Sequence, residues 1–262
     1  MLHITHILTP LTHLKHRIAL IMDLLCIGLT LTAAVPKTDL GVPDLKKIKA
    51  ETTDPTSKYY YPTLVHNFLS NDTIMKDKDF QYLYYGTLFQ EDYDPYRPPY
   101  DSITLAEVAP LYAKPTTTRS ERQKMEKYAK DALRDNPVSI RQLTNLVYVY
   151  EKNNKFDLAK IWRNKLHHIL LVIAKSGTGA DAENAWLVVY PAHEYDVLTL
   201  SGRIIQGNDF VAPGYDIIRT APIKNNPVSD FYFNITPMLE QYYLKHPTEL
   251  TDAAPEHTDT VP

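Results

Sequence analysis

The 262-residue chain has one cysteine, Cys26, and it lies inside the most apolar stretch of the sequence. If that stretch is removed, disulfides, thiolate metal sites and cysteine nucleophiles are all excluded. Positive charge is also scarce: 28 basic residues face 31 acidic ones, a net of −3. Such a balance gives no basic footprint for a phosphate backbone, so nucleic acid is not expected as a partner. Catalytic signatures are missing too. No Gly-x-Ser-x-Gly elbow, His-Glu-x-x-His zinc helix or kinase set occurs, and no metal or cofactor is expected. Composition is otherwise that of a globular protein, 44% hydrophobic and 23% charged, long enough for one large domain or two small ones.

The first 34 residues stand apart. Lys15 and Arg17 precede Ile18 to Ala34, an apolar stretch that ends in small residues. Basic, apolar and cleavable segments in this order predict a secretory signal cut after Ala34, hence an exported protein with no membrane attachment after cleavage. Against this, Asp23 interrupts the run and the leader before Lys15 is long and His-rich. An uncleaved anchor is the alternative, although the run is at the short edge of a spanning helix. Leu24 and Leu25 before Cys26 do not suit a lipoprotein signal.

Val35 to Ser57 is rich in Pro, Thr, Lys and Asp without apolar periodicity and reads as a linker. From Lys58 to Lys175 helical spacing dominates. Tyr60, Tyr61, Leu64, Val65, Phe68 and Leu69 recur as one face, with Pro62 in the first turn. Asn71 to Thr73 breaks that helix; Phe80, Leu83 and Tyr84 continue the pattern to Gly86, read as a left-handed C-cap. Three helices fit Arg119 to Arg134, Val138 to Glu151 and Lys155 to Ala174, separated by Asn136-Pro137 and Asn153-Asn154. Leu143, Leu146, Tyr150 and Ala159 occupy positions like those of a tetratricopeptide unit, while Val147 and Leu166 depart from it.

After Ser176-Gly177-Thr178-Gly179 the period shortens. Trp186 to Tyr190, Tyr195 to Leu200, Arg203 to Phe210, Tyr215 to Thr220 and Asp230 to Ile235 read as five strands of a small, mostly antiparallel sheet, with Ser201-Gly202 as a hairpin turn. Thr236 then caps a helix from Pro237 to Lys245. Pro247 to Pro262 has no apolar pattern and is expected to be disordered. The fold class expected is α+β: antiparallel helical hairpins, then a small sheet over 176 to 246 with its C-terminal helix.

Tyr59 to Leu69 with the following Ser70 to Thr73, Leu83 to Arg97, Ser176 to Arg203 and Phe231 to Tyr243, joined by the hairpin stack, resemble an exported Bacteroidetes family of unknown function. That resemblance runs from about Tyr59 to Tyr243. It implies helices followed by a small sheet and export to the periplasm or cell surface, and it implies no reaction and no functional residue.

Ten of the nineteen tyrosines lie between Tyr59 and Tyr112. Tyr93, Tyr96 and Tyr100, interleaved with Asp92, Asp94 and Asp101, suit a platform on which a protein, peptide or glycan stacks while acids accept hydrogen bonds. The same rings could instead seal a seam between helical pairs, with Pro95, Pro98 and Pro99 stiffening the crossing. Asp92 and Asp94 could open a calcium loop, but the glycine and distal glutamate of such a loop are missing. His193, Glu194 and Asp196 offer an imidazole beside two acids; on a strand, His193 would face away from the other two. His167 and His168 diverge on a helix and cannot share one metal unaided. Ser176 to Gly179 lacks the Gly-Lys-Ser/Thr of a phosphate loop and reads as a flexible joint. The leading expectation is a non-catalytic interaction module. A hydrolase using Asp92, Asp94 and Glu194, or a structural envelope component, are the alternatives.

Overall fold

The computed structural model describes residues 40–70, 74–223 and 228–252. The segment read as a signal, with Cys26, the break at Asn71 to Thr73 and the tail beyond residue 252 lie outside them. The fold is α+β, with ten α-helices and four strands among the described residues. It begins inside the stretch read as a linker. Asp44 accepts a hydrogen bond from the Lys47 amide and caps α1, Leu45–Thr53. Only Ile48 and Thr52 of α1 are buried, too few to show a period in the sequence.

Helices α2 (Tyr61–Leu69) and α3 (Asp77–Gly86) follow. Gly86 is not left-handed: its φ is −63°, and a 3-10 turn continues through Thr87–Phe89. Glycine is needed there for space, because a Cβ would meet Thr52 Cγ2 of α1 at 2.8 Å. Asp101 then caps a short α4, Ser102–Val108, by accepting from the Thr104 amide.

Thr118 and Glu121 form a reciprocal capping box that starts α5, Arg119–Asp135, satisfying two orphan amides. Helices α6 (Ile140–Lys152) and α7 (Phe156–Ala174) complete the stack. Their short connections make neighbours antiparallel, and left-handed Asn154 turns the chain between α6 and α7.

Two expectations for the C-terminal region are corrected. Tyr195 to Leu200 is helical, part of α8, Pro191–Leu200. Proline in its first turn sets φ, and Ser201-Gly202 ends it rather than turning a hairpin. Gly202 (φ 77°) donates to the Thr199 carbonyl and Arg203 to the Leu198 carbonyl, a Schellman cap. Second, the sheet has four strands rather than five; it is mostly antiparallel, as expected, with one parallel pair. Its strands are β1 (Trp186–Leu187), β2 (Ile205–Val211), β3 (Tyr215–Thr220) and β4 (Asp230–Asn234), in the order β1-β4-β3-β2. β1 runs parallel to β4, while the β4–β3 and β3–β2 pairs are antiparallel. The true hairpin joins β2 to β3. Helix α9, Thr236–Lys245, follows, and a short α10, Pro247–Asp252, occupies the start of the stretch expected to be disordered.

Helices and sheet share one core. Phe68, Phe80, Tyr84, Tyr85, Leu146, Trp162, Val189, Ile218 and Phe233 belong to a single buried cluster. A smaller one beneath α4 joins Val108, Met125, Tyr128, Ala132 and Val149.

Candidate functional site

Most of the tyrosine run is core. Tyr82, Tyr84 and Tyr85 are buried on α3. Tyr93, offered either as part of a platform or as a seal between helices, is 3% exposed; its hydroxyl donates to the Val189 carbonyl at 2.5 Å and its ring lies 5.4 Å from that of Tyr190. A phenol that far inside must spend its proton on an acceptor, and the β1–α8 connection supplies one. Tyr93 is therefore a strut.

Tyr96 and Tyr100 remain on the surface, 43% and 41% exposed. Asp94 accepts from the Tyr96 amide at 2.8 Å, an Asx turn that aims the ring outward. Tyr96 meets the ring of Tyr242 on α9 edge-on at 4.9 Å, and Tyr242 in turn contacts Tyr243 and stacks on His246. Lys245, also on α9, donates to the carbonyls of Gln90, Glu91 and Tyr93 and so fastens the loop. Tyr100 packs beside Tyr128 of α5, which donates to the Tyr100 carbonyl. Tyr96 and Tyr242 thereby build an aromatic face from segments about 146 residues apart, and no local motif could have revealed Tyr242 as its member.

Behind this face lies a pair of acids. Glu194, in the first turn of α8, is 1% exposed, and its Oε1 has no hydrogen-bond partner among the described residues. Its carboxyl group faces Asp216 of β3. Burial pushes both acids above their usual range, Glu194 furthest, so that Glu194 keeps its proton and donates it in a hydrogen bond to Asp216. Tyr96 is pushed up to about 12, first by burial of its hydroxyl and then by the charge of Asp216. Tyr96 thus has an exposed ring and a tip set toward the acid pair.

The other polar side chains of the Pro191–Asp196 segment point elsewhere, because on a helix successive residues turn by about 100°. His193 Nδ1 lies 2.8 Å from the Tyr84 hydroxyl, whose oxygen also accepts from the Val189 amide. The phenol proton is thus directed at Nδ1. Burial, aided by the charge of Arg141, pushes the imidazole down to about 3, so it is neutral at physiological pH. Asp196 accepts from Arg141 of α6 at 2.9 Å. His193, Glu194 and Asp196 therefore tie α8 to α3, β3 and α6 in turn and do not converge on one reacting atom.

Asp92 is exposed and lines a small cleft of about 110 Å³ with Tyr61, Gln90, Arg97, Asp135 and Tyr190. Ligand pockets usually run to about 300 Å³ or more, so this cleft holds a side-chain tip at most. Asp101 is committed to capping α4. Among the described residues no three His, Cys, Asp or Glu side chains gather as a metal site, and no helix is long and apolar enough to cross a membrane. Ser176 to Gly179 is a packed joint. Thr178 and Gly179 both donate to the Asn184 carbonyl at 2.8 Å, which spends the amides a phosphate would need.

The fold defines the class as a mixed α+β domain, and among the described residues the candidate acids and histidines do not converge on one point. The chain belongs to the family described as domain of unknown function DUF4919, whose model matches residues 46–244. No curated protein and no solved structure matches it.

Proposed function

We propose that this protein is an exported, non-catalytic interaction module that holds a protein, peptide or glycan segment of the cell envelope on the face built by Tyr96, Tyr100 and Tyr242. The observation that carries the reading is the posture of Tyr96. Its ring is held outward by the Asp94 turn and the Tyr242 edge contact, while its hydroxyl end sits near Asp216. Flat apolar rings next to hydrogen-bonding acids suit extended polymers that bring both faces and hydroxyls or amides. Helices α5 to α7, read as a tetratricopeptide-like stack of a Bacteroidetes family, form the scaffold behind it. Export rests on the order of residues in the N-terminal segment; fractionation of cells expressing the full chain tests it.

The binding test uses glycan and peptide arrays with wild-type protein and the Tyr96→Ala/Tyr100→Ala variant. Loss of all captured spots in the folded variant supports the reading; unchanged capture refutes it. A hydrolase reading has one observation in its favour, the protonated Glu194 beside Asp216, which supplies an acid and a base. Turnover of array substrates that is lost in Glu194→Gln would favour that reading. Asp94 is committed to its turn, so Asp94→Asn should leave any such turnover intact.

A further inference from the structure

β2 ends the sheet, and its residues from Asn208 to Val211 are all exposed, Phe210 at 57% and Val211 at 44%. Which of its amides point outward follows from the ladder. Ile235 donates to the Gly214 carbonyl and Thr220 to the Ser229 carbonyl. Even-numbered residues of β3 thus turn their amides to β4, and odd-numbered ones turn theirs to β2. With Gly207 opposite Arg219 and Asp209 opposite Ile217, Gly207, Asp209 and Val211 pair inward. Asn208 and Phe210 present their N–H and C=O groups outward.

Charge selects what fits there. The Arg219 guanidinium reaches along the sheet to Asp209 and passes over Gly207, where a Cβ would lie only 3.2 Å from Nη2. Gly207 is a gap in the strand with a cation lying over it. In an antiparallel pairing of β2 with β2 of a second copy, centred on Asn208, Gly207 of each copy sits opposite Asp209 of the other. Each Asp209 then enters the gap beneath the other copy's Arg219, and charges alternate across the join. The same register pairs the outward groups of Asn208 with each other. A register centred one residue later would set Asp209 against Asp209, which like charges oppose. We propose that the β2 edge is a two-fold interface at which a second copy of this chain continues the sheet, in the Asn208-centred register. An isologous contact of this kind closes the assembly at two copies and covers an edge otherwise open to aggregation.

Analytical ultracentrifugation of the full mature chain tests this. Wild type is expected to sediment as a dimer that weakens with added salt. Asn208→Pro removes an outward amide without touching the β3 ladder and should give a monomer with unchanged circular dichroism. Asp209→Arg should be monomeric, Arg219→Asp should be monomeric, and an equimolar mixture of the two should form heterodimers, because their charges alternate again across the join. A monomeric wild type at every concentration overturns the proposal, as does a dimer indifferent to Asp209→Arg or a mixture that stays monomeric. Should Asn208→Pro fail to fold, the charge variants decide alone.

Discussion

Glu194 and His193 are adjacent, both buried, and shifted in opposite directions, which fixes an unusual dependence of stability on pH. Folded Glu194 keeps a proton that the unfolded chain releases above its ordinary value of 4.5. Folding therefore takes up a proton, and stability falls as pH rises from 4.5 toward the raised native value. Folded His193, held at about 3, refuses a proton that the unfolded chain binds below 6.5, so stability falls as pH drops from 6.5 toward about 3. Between these ordinary values the two slopes cancel. Outside them each contributes about 1.4 kcal/mol per pH unit until its native titration is reached, so stability should fall above pH 6.5 along an alkaline limb from Glu194. Asp216, also raised, adds in the same direction as Glu194. Urea unfolding across about pH 4 to 9 measures this. Glu194→Gln, which can still donate to Asp216, should lose the alkaline limb and exceed wild type at pH 8. His193→Gln should shrink the acid limb but not remove it, because Glu121, lowered to about 2 by Lys114 and the Thr118 amide, also resists protonation. Wild-type stability that is flat or rising from pH 6.5 to 8, together with a less stable Glu194→Gln, would refute the reasoning.

Three further outcomes are expected. Tyr93→Phe strands the Val189 carbonyl and should cost about 1–3 kcal/mol in urea unfolding, whereas Tyr96→Ala, an exposed change, should cost less. Gly86→Ala drives a Cβ into Thr52 Cγ2 and should cost about 1–3 kcal/mol; adding Thr52→Ser, which removes that methyl, should restore part of it in thermal melts. Lys245→Met releases the carbonyls of Gln90, Glu91 and Tyr93 and should quicken limited proteolysis between α3 and α4 without lowering helix content.

Legibility in the sequence tracked the density of local signals. The α5 to α7 stack was readable to within about two residues, because a capping box, Asn136-Pro137 and Asn153-Asn154 punctuate a clear period. α8 was misread because Val197, Leu198 and Thr199 favour strands; the better cues were Pro191 in the first turn and Gly202 after the last. α1 and α4 escaped notice because each buries too few residues to show periodicity. At the site, the sequence left Tyr93, Tyr96 and Tyr100 open between a platform and a seam, because a Pro-rich loop hides the direction of each turn; the structure buries Tyr93 and leaves the rings of Tyr96 and Tyr100 exposed. Asp216 and Tyr242 could not be found at all, since each matters only through a contact with a distant segment.

The central claim is that the surface around Tyr96 and Tyr100 holds a ligand while the rest of the tyrosine run holds the fold together. Its most direct measurement is capture on glycan and peptide arrays by wild type, Tyr96→Ala/Tyr100→Ala and Tyr93→Phe. Loss of capture with only a small loss of stability is expected in the first variant, and retained capture with a larger loss of stability in the second. Capture that survives the double alanine change, or that is lost only with Tyr93→Phe, would contradict it.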